Sequence, residues 1–297
     1  MAAADVAVRV RGLRKEYRGR PAVDGIDFDI LRGETFALLG PNGAGKSTTI
    51  EILEGYRLRT GGDVSVLGVD PGHGGSSWKA RLGIVLQSAG QPGVMTVREQ
   101  LTSFAGLYPH PRDVDEVIAS VGLEDRARTR ISRLSGGMQR RVDVALGIIG
   151  RPELLFLDEP TTGFDPEARR EFWALIRQLR DEGTTILLTT HYLDEAAQLA
   201  DRIGVIIGGR MADIGAVDEI GGAAARVPFV RWREDGRVRE QRTDTPGETV
   251  RALVTRLGQE PDALEIVRPS LEDVYLGMVA EHAATAETLA STDSGRA

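Results

Sequence analysis

Apolar residues recur at every second position near the N-terminus, at Val6, Val8 and Val10 and again at Ile26, Phe28 and Ile30. That period belongs to half-buried strands, whose side chains alternate between two faces. Thr35-Phe36-Ala37-Leu38-Leu39 breaks the alternation with a near-continuous apolar run that stops at Gly40. Such a run predicts a strand buried on both faces. A helix is predicted over 46–54, with further strands at 62–69 and 83–87. From about 95 to 150 the pattern turns helical. Between Arg169 and Asp181, Phe172, Leu175, Ile176 and Leu179 share one helical face. Strands are predicted again at 154–158, 184–190 and 203–207. Strands separated by helices imply an α/β core with a mainly parallel sheet.

Composition shifts near residue 220, where Gly221-Gly222-Ala223-Ala224-Ala225 reads as a linker. Val227 to Arg239 predicts a hairpin turning at Asp235-Gly236. Val250, Leu253, Val254 and Leu257 mark one helix. Ser270 and Asp273 form a capping box that opens another, with Leu271, Val274, Tyr275 and Met278 on one face. The expected organisation is a main domain over 1–219, an accessory domain over 220–280 and a disordered tail over 281–297. The tail is rich in Ala, Thr and Ser and lacks periodicity, and no internal repeat is visible.

The 297 residues are 41% hydrophobic and 27% charged, an ordinary globular balance. Acidic residues number 44 and basic ones 37. The net charge of −7 argues against a bulk nucleic-acid binder, so no nucleic-acid partner is expected. Cysteine is absent, which excludes disulfides, thiolate metal sites and a Cys nucleophile. Lysine occurs only at Lys15, Lys46 and Lys79, so any motif that needs one has few to use. No window holds the roughly 18 apolar residues of a membrane span, and charged residues interrupt any signal-peptide core. A cytoplasmic protein is expected, reaching the membrane only through a partner.

Gly40-Pro41-Asn42-Gly43-Ala44-Gly45-Lys46-Ser47 fits G-x-x-x-x-G-K-[ST] between a predicted buried strand and a predicted helix. That context makes it a phosphate loop. Glycines let backbone N–H groups wrap phosphate oxygens, and the helix N-terminus adds the positive end of its dipole. Lys46 would reach the β- and γ-phosphates, and Ser47 would offer its hydroxyl to Mg²⁺. Leu154-Leu155-Phe156-Leu157 ends in Asp158-Glu159. Alone, two acids at a strand end are a solvated terminus. Beside a phosphate loop, Asp158 is placed to hold Mg²⁺ through water and Glu159 to act as general base. His191 follows the strand at 184–190. It reads either as a structural histidine or as a contact to the γ-phosphate.

Leu134-Ser135-Gly136-Gly137-Met138-Gln139 completes a series. Together with the loop at 40–47, Gln87, Asp158-Glu159, Asp165 and His191, in that order, it resembles an ATP-binding cassette (ABC) ATPase from residue 6 to about 219. Met138 stands where the family most often has Gln, and Phe164 where Leu is usual. The stretches Leu39–Thr49 and Ser270–Leu276 are similar to one subgroup, the stand-alone ATPase subunits of bacterial drug exporters of the daunorubicin-resistance type.

The resemblance implies a P-loop NTPase core with a mainly parallel sheet, an N-terminal antiparallel β subdomain, a helical signature subdomain and a small C-terminal α+β accessory domain. It implies ATP and Mg²⁺ as ligands, with nucleotide contacts from Gly40 through Ser47 and from Thr48. Tyr17 would stack on adenine, although an ordinary strand-end tyrosine looks the same. Gln87 would ligate Mg²⁺ or its water and sense a membrane partner, or else cap a strand. Ser135, Gly136 and Gly137 would bind the γ-phosphate held by a second copy, in a head-to-tail homodimer. Asp165 would sit at that interface, while Asp165-Pro166 also reads as a helix N-cap followed by proline. The expected function is to power export through a separate transmembrane permease subunit. An importer ATPase and a soluble ABC ATPase working on nucleic acid or ribosomes remain the alternatives.

Overall fold

The computed structural model describes residues 6–86 and 94–293. Along the chain run β1 (Val6–Tyr17), β2 (Arg20–Leu31), β3 (Thr35–Leu39), α1 (Lys46–Leu53), β4 (Gly61–Val66), α2 (Ser76–Lys79) and β5 (Leu82–Val85). Next come α3 (Val97–Ala105), α4 (Val114–Ser120), α5 (Gly136–Ile148), β6 (Leu154–Asp158), α6 (Pro166–Asp181), β7 (Thr185–Thr189) and α7 (Leu193–Leu199). β8 (Arg202–Ile207), β9 (Arg210–Ala216), α8 (Gly222–Ala225), β10 (Phe229–Glu234) and β11 (Arg237–Arg242) follow. α9 (Pro246–Leu257), β12 (Asp262–Val267) and α10 (Leu271–Asp293) end the described chain. The chain divides into two compact units between Val217 and Asp218.

In the first unit, β1 pairs antiparallel with β2 and β4; its Val8, Val10 and Leu13 are fully buried, with a register shift between Val10 and Leu13. The main sheet has the order β5-β6-β7-β3-β8-β9, parallel except for the β8–β9 pair. β3, β6 and β7 lie inside that sheet and are buried along almost their whole length. Central parallel strands have both faces covered, which is why their sequences are apolar runs rather than alternations. The helical stretch carries local start signals. Thr96 and Glu99 form a capping box on α3, Asp113 caps α4, and the Ser135 hydroxyl accepts from the Met138 N–H at 3.3 Å to cap α5.

The strand order positions the site. β6, β7 and β3 are adjacent and parallel, so the loops leaving their C-terminal ends open at one edge of the sheet. Those loops begin at Gly40, Glu159 and Thr190. Ligands of open α/β sheets bind at that edge.

The second unit is a three-stranded antiparallel sheet, order β11-β10-β12, with Val230 and Trp232 packed on Leu253 and Val250 of α9. Asp235 (φ 52°) and Gly236 (φ 73°) make the two-residue turn joining β10 to β11, as expected for an Asp-Gly hairpin. The capping box at α10 closes as well, with Ser270 N–H on Asp273 at 2.8 Å. Three features differ from the sequence expectation. β9 and β12 form where no strand is predicted: β9 folds back on the adjacent β8 through the Gly208-Gly209 turn, and β12 completes the sheet edge of the more distant β10. The third is α10, which continues to Asp293 through the segment expected to be disordered from 281. Alanines recur over 280–290, and alanine is the strongest helix former, so the helix propagates without an apolar period.

Candidate functional site

The phosphate loop links β3 to α1 and is held by contacts that only glycine permits. A Cβ on Gly40 would lie 2.2 Å from the Ile206 carbonyl oxygen, and one on Gly45 2.5 Å from that of Ala22. Gly45 also sits at φ 106°, outside the reach of other residues. Lys46 is 7% exposed, and its Nζ donates to the carbonyls of Gly40 at 2.7 Å and Pro41 at 3.2 Å. Burial pulls the ammonium below the usual lysine range, while Glu159 and Asp158 push it back up. An ammonium held over its own loop can exchange two neutral acceptors for phosphate oxygens, and charge-assisted bonds are about twice as strong. Thr49 anchors the helix start through its hydroxyl to the Gly45 carbonyl, leaving Ser47 exposed. The N–H groups of the first turn have no intrahelical acceptor and face the loop.

Asp158 ends β6, and its carboxylate accepts the hydroxyl of Thr189 at the end of β7. Glu159 follows at φ 45°, a left-handed conformation that its N–H bond to the Thr189 carbonyl at 3.1 Å helps to hold. Its Oε2 lies 3.4 Å from Nδ1 of His191, which stands just beyond β7. Asp158, Glu159, His191 and the Lys46 ammonium thus meet at one sheet edge. Glu54, at the C-terminal end of α1, senses the same charge. Burial first, then Asp158 and Glu51, push it up to about 8, so it is mostly protonated at neutral pH.

Tyr17 ends β1 with a half-open ring, Lys15 Nζ 5.2 Å and Arg57 Cζ 5.4 Å from its centroid. Ser135, Gly136 and Gly137 open a separate cavity of about 580 Å³, shared with Gly163, Phe164 and Asp165. None of residues 40–47 lines it. The Asp165 carboxylate accepts from the N–H groups of Glu167 and Ala168 at 3.0 and 2.8 Å, so it does cap α6. Gln87 lies outside the described residues.

Residues 23–162 match the ABC transporter family. The daunorubicin resistance ATP-binding protein DrrA3 of Streptomyces coeruleorubidus is 35% identical over 94% of this chain and 97% of its own length. The chain belongs to the ABC transporter family. A second relative, the Nod factor export ATP-binding protein I of Neorhizobium galegae, is 36% identical over 91% of this chain and 84% of its own. Among solved structures, an ATP binding subunit of an ABC transporter matches with a TM-score of 0.70. It covers 92% of this chain and 99% of that one at 23% identity, a likeness of fold.

The departures from the ABC pattern are accommodated. Phe164 is 9% exposed and packs edge-on against Phe172 at 5.7 Å, so it anchors the loop into the core of α6. Met138 lines the signature cavity. The residue missed in the sequence is Arg140. Its buried guanidinium donates to the carbonyls of Pro160 (3.0 Å), Asp158 (2.9 Å) and Leu86. One side chain of the signature helix therefore ties α5 to the ends of β5 and β6. The available signal was phase, because Arg140 falls one helical turn before the buried Val144. Arg140→Ala leaves the buried Pro160 carbonyl and two part-buried ones short of a donor, and is expected to lower stability by about 3 kcal/mol. Urea denaturation followed by circular dichroism checks this; a loss under about 0.5 kcal/mol is a surface-like effect and would contradict the clamp.

Proposed function

We propose that this chain binds and hydrolyses ATP with Mg²⁺ at sites shared by two copies, and that it powers export of a drug-like molecule through a separate membrane permease. The observation that carries the reading is the meeting of Lys46, Asp158, Glu159 and His191 at the ends of three adjacent strands. The names of two relatives, one of drug resistance and one of export, support the direction of transport.

In this reading the loop from Gly40 to Thr48 wraps the phosphates, and Lys46 moves from its loop carbonyls onto the β- and γ-oxygens. Ser47, Asp158 and Gln87 are the ligands offered to Mg²⁺, which would draw its others from phosphate and water. When bound, that ion neutralises phosphate charge and orients the transferred group. Glu159 takes the proton of the attacking water on its carboxylate. His191 holds that carboxylate in place and faces the γ-phosphate. The Tyr17 ring stacks on adenine, its flanking cations adding to the face. Gln87 completes the metal site and reports the permease.

Two observations support sharing between copies. The signature cavity includes no phosphate-loop residue. A Cβ on Gly136 or Gly137 would meet nothing within 4 Å, and neither needs a left-handed backbone. Among the described residues nothing requires glycine there, as expected if something outside the chain comes close. The transport path is assigned to another chain; no helix among the described residues is long and apolar enough to cross a membrane.

Inverted vesicles holding the chain together with a candidate permease test the reading. ATP-dependent accumulation of daunorubicin, absent with Glu159→Gln, is the expected result. Accumulation only in right-side-out vesicles would make the protein an importer ATPase. Hydrolysis of ATP no faster than in the Glu159→Gln control would remove the ATPase itself.

A further inference from the structure

Glu195, on α7, is 0% exposed, and the proposed reaction makes no use of it. A carboxylate removed from water needs partners on both oxygens. Trp173 Nε1 donates to Oε1 at 3.2 Å. Oε2 closes no hydrogen bond, and neither does the hydroxyl of Thr161, which is also 0% exposed. Yet the Thr161 and Thr190 hydroxyls both lie close enough to favour the charged carboxylate, against a burial that raises its pKa. Arg169 adds its charge to the same spot while its guanidinium lies 4.4 Å over the ring of Tyr192.

The partners come from the segments that carry the proposed chemistry. Thr161 lies between Glu159 and Asp165. Thr190 immediately precedes His191, and its hydroxyl accepts the Tyr192 N–H at 3.0 Å. Trp173 and Arg169 stand on α6, which Asp165 caps. A buried acceptor and a nearby buried hydroxyl, neither closing a hydrogen bond, can pair when the segments that carry them shift together.

We infer that Glu195 is a positioning residue: its carboxylate couples the segment carrying His191 to the Thr161–Asp165 loop, and its bond to Thr161 closes when the ATP site closes. The inference rests on the reading of Glu159 and His191 given above. It assigns Glu195 no contact with nucleotide.

The full-length chain with MgATP provides the test. Glu195→Gln keeps the shape and the Trp173 contact but loses the charge. It is expected to lower kcat about tenfold, with KM for ATP and the melting temperature little changed. Thr161→Val removes the other half of the bond and is expected to do the same, and the double variant should be no slower than either alone. A Glu195→Gln protein with wild-type kcat would overturn the inference. So would a fall of kcat, ATP affinity and melting temperature together, which marks a purely structural role, or effects of the two substitutions that multiply. If the unmodified chain hydrolyses no ATP, the functional reading fails first and takes this inference with it. A wild-type rate beside unaffected variants defeats the inference alone.

Discussion

Glu159→Gln is expected to leave ATP binding intact and to slow hydrolysis by on the order of 10²-fold or more, as loss of a general base predicts. The substitution keeps the side-chain shape and the backbone bonds to Thr189 that hold the residue at φ 45°. It removes the carboxylate that faces His191 at 3.4 Å. In the proposed reading affinity rests on Lys46 and the loop backbone, which the change does not touch, so binding and turnover should separate. Phosphate release under saturating MgATP measures one and equilibrium titration with ATP the other. Unhydrolysed ATP should also hold the two copies together, visible as an ATP-dependent dimer in light scattering. Normal turnover in the Gln protein would move the base elsewhere, with His191 the next candidate.

The second large effect concerns two copies. Lys46→Ala removes the ammonium buried beside Asp158 and Glu159, and with it the charge-assisted contacts to phosphate that the proposed reading assigns to it. It should abolish tight ATP binding. Ser135→Arg puts a long side chain at the mouth of a cavity where Gly136 and Gly137 leave open space. It should spare ATP binding by a single copy and block hydrolysis. Each variant alone is expected to be inactive. Mixed, they form dimers in which one site carries both lesions and the other carries neither. Half of randomly paired dimers are mixed, so independent sites of a two-fold dimer should recover about a quarter of the wild-type rate. The measurement is the ATPase rate of the mixture against each variant, with the permease present if isolated copies pair weakly. An active Ser135→Arg protein would defeat the shared site. A mixture as inactive as its parts would mean that the two sites fire only together or are not shared.

Much of the site is legible in the sequence because its determinants are short in range. The spacing of Gly40, Gly45, Lys46 and Ser47 requires a tight turn from strand to helix, whatever lies around it. The short apolar run ending in Asp158-Glu159 reads as a buried strand delivering two carboxylates to one end. Ser135, Asp165 and the Ser270–Asp273 pair are caps, which are decided by a hydroxyl or carboxylate and the next few N–H groups. Asp235-Gly236 sets its own turn. Each of these follows from local sterics and hydrogen bonding.

Strand order and long-range burial are different in kind. That β7 lies between β3 and β6 is what brings His191 to Glu159, across 32 residues of chain, and no periodicity encodes it. β12 exists because β10, well before it in the chain, offers a free edge. Arg140 looks like one of a pair of surface arginines until the fold surrounds it with three carbonyls. Glu195 looks like one more acid in a helix until Trp173, Thr161 and Thr190 close over it. The sequence by itself determined the phosphate loop, its acidic partners and the helix ends, because those are bonds between near neighbours. Only the tertiary structure decided which distant segments share one buried charge, because desolvation depends on everything that packs around a group and not on the residues beside it in the chain.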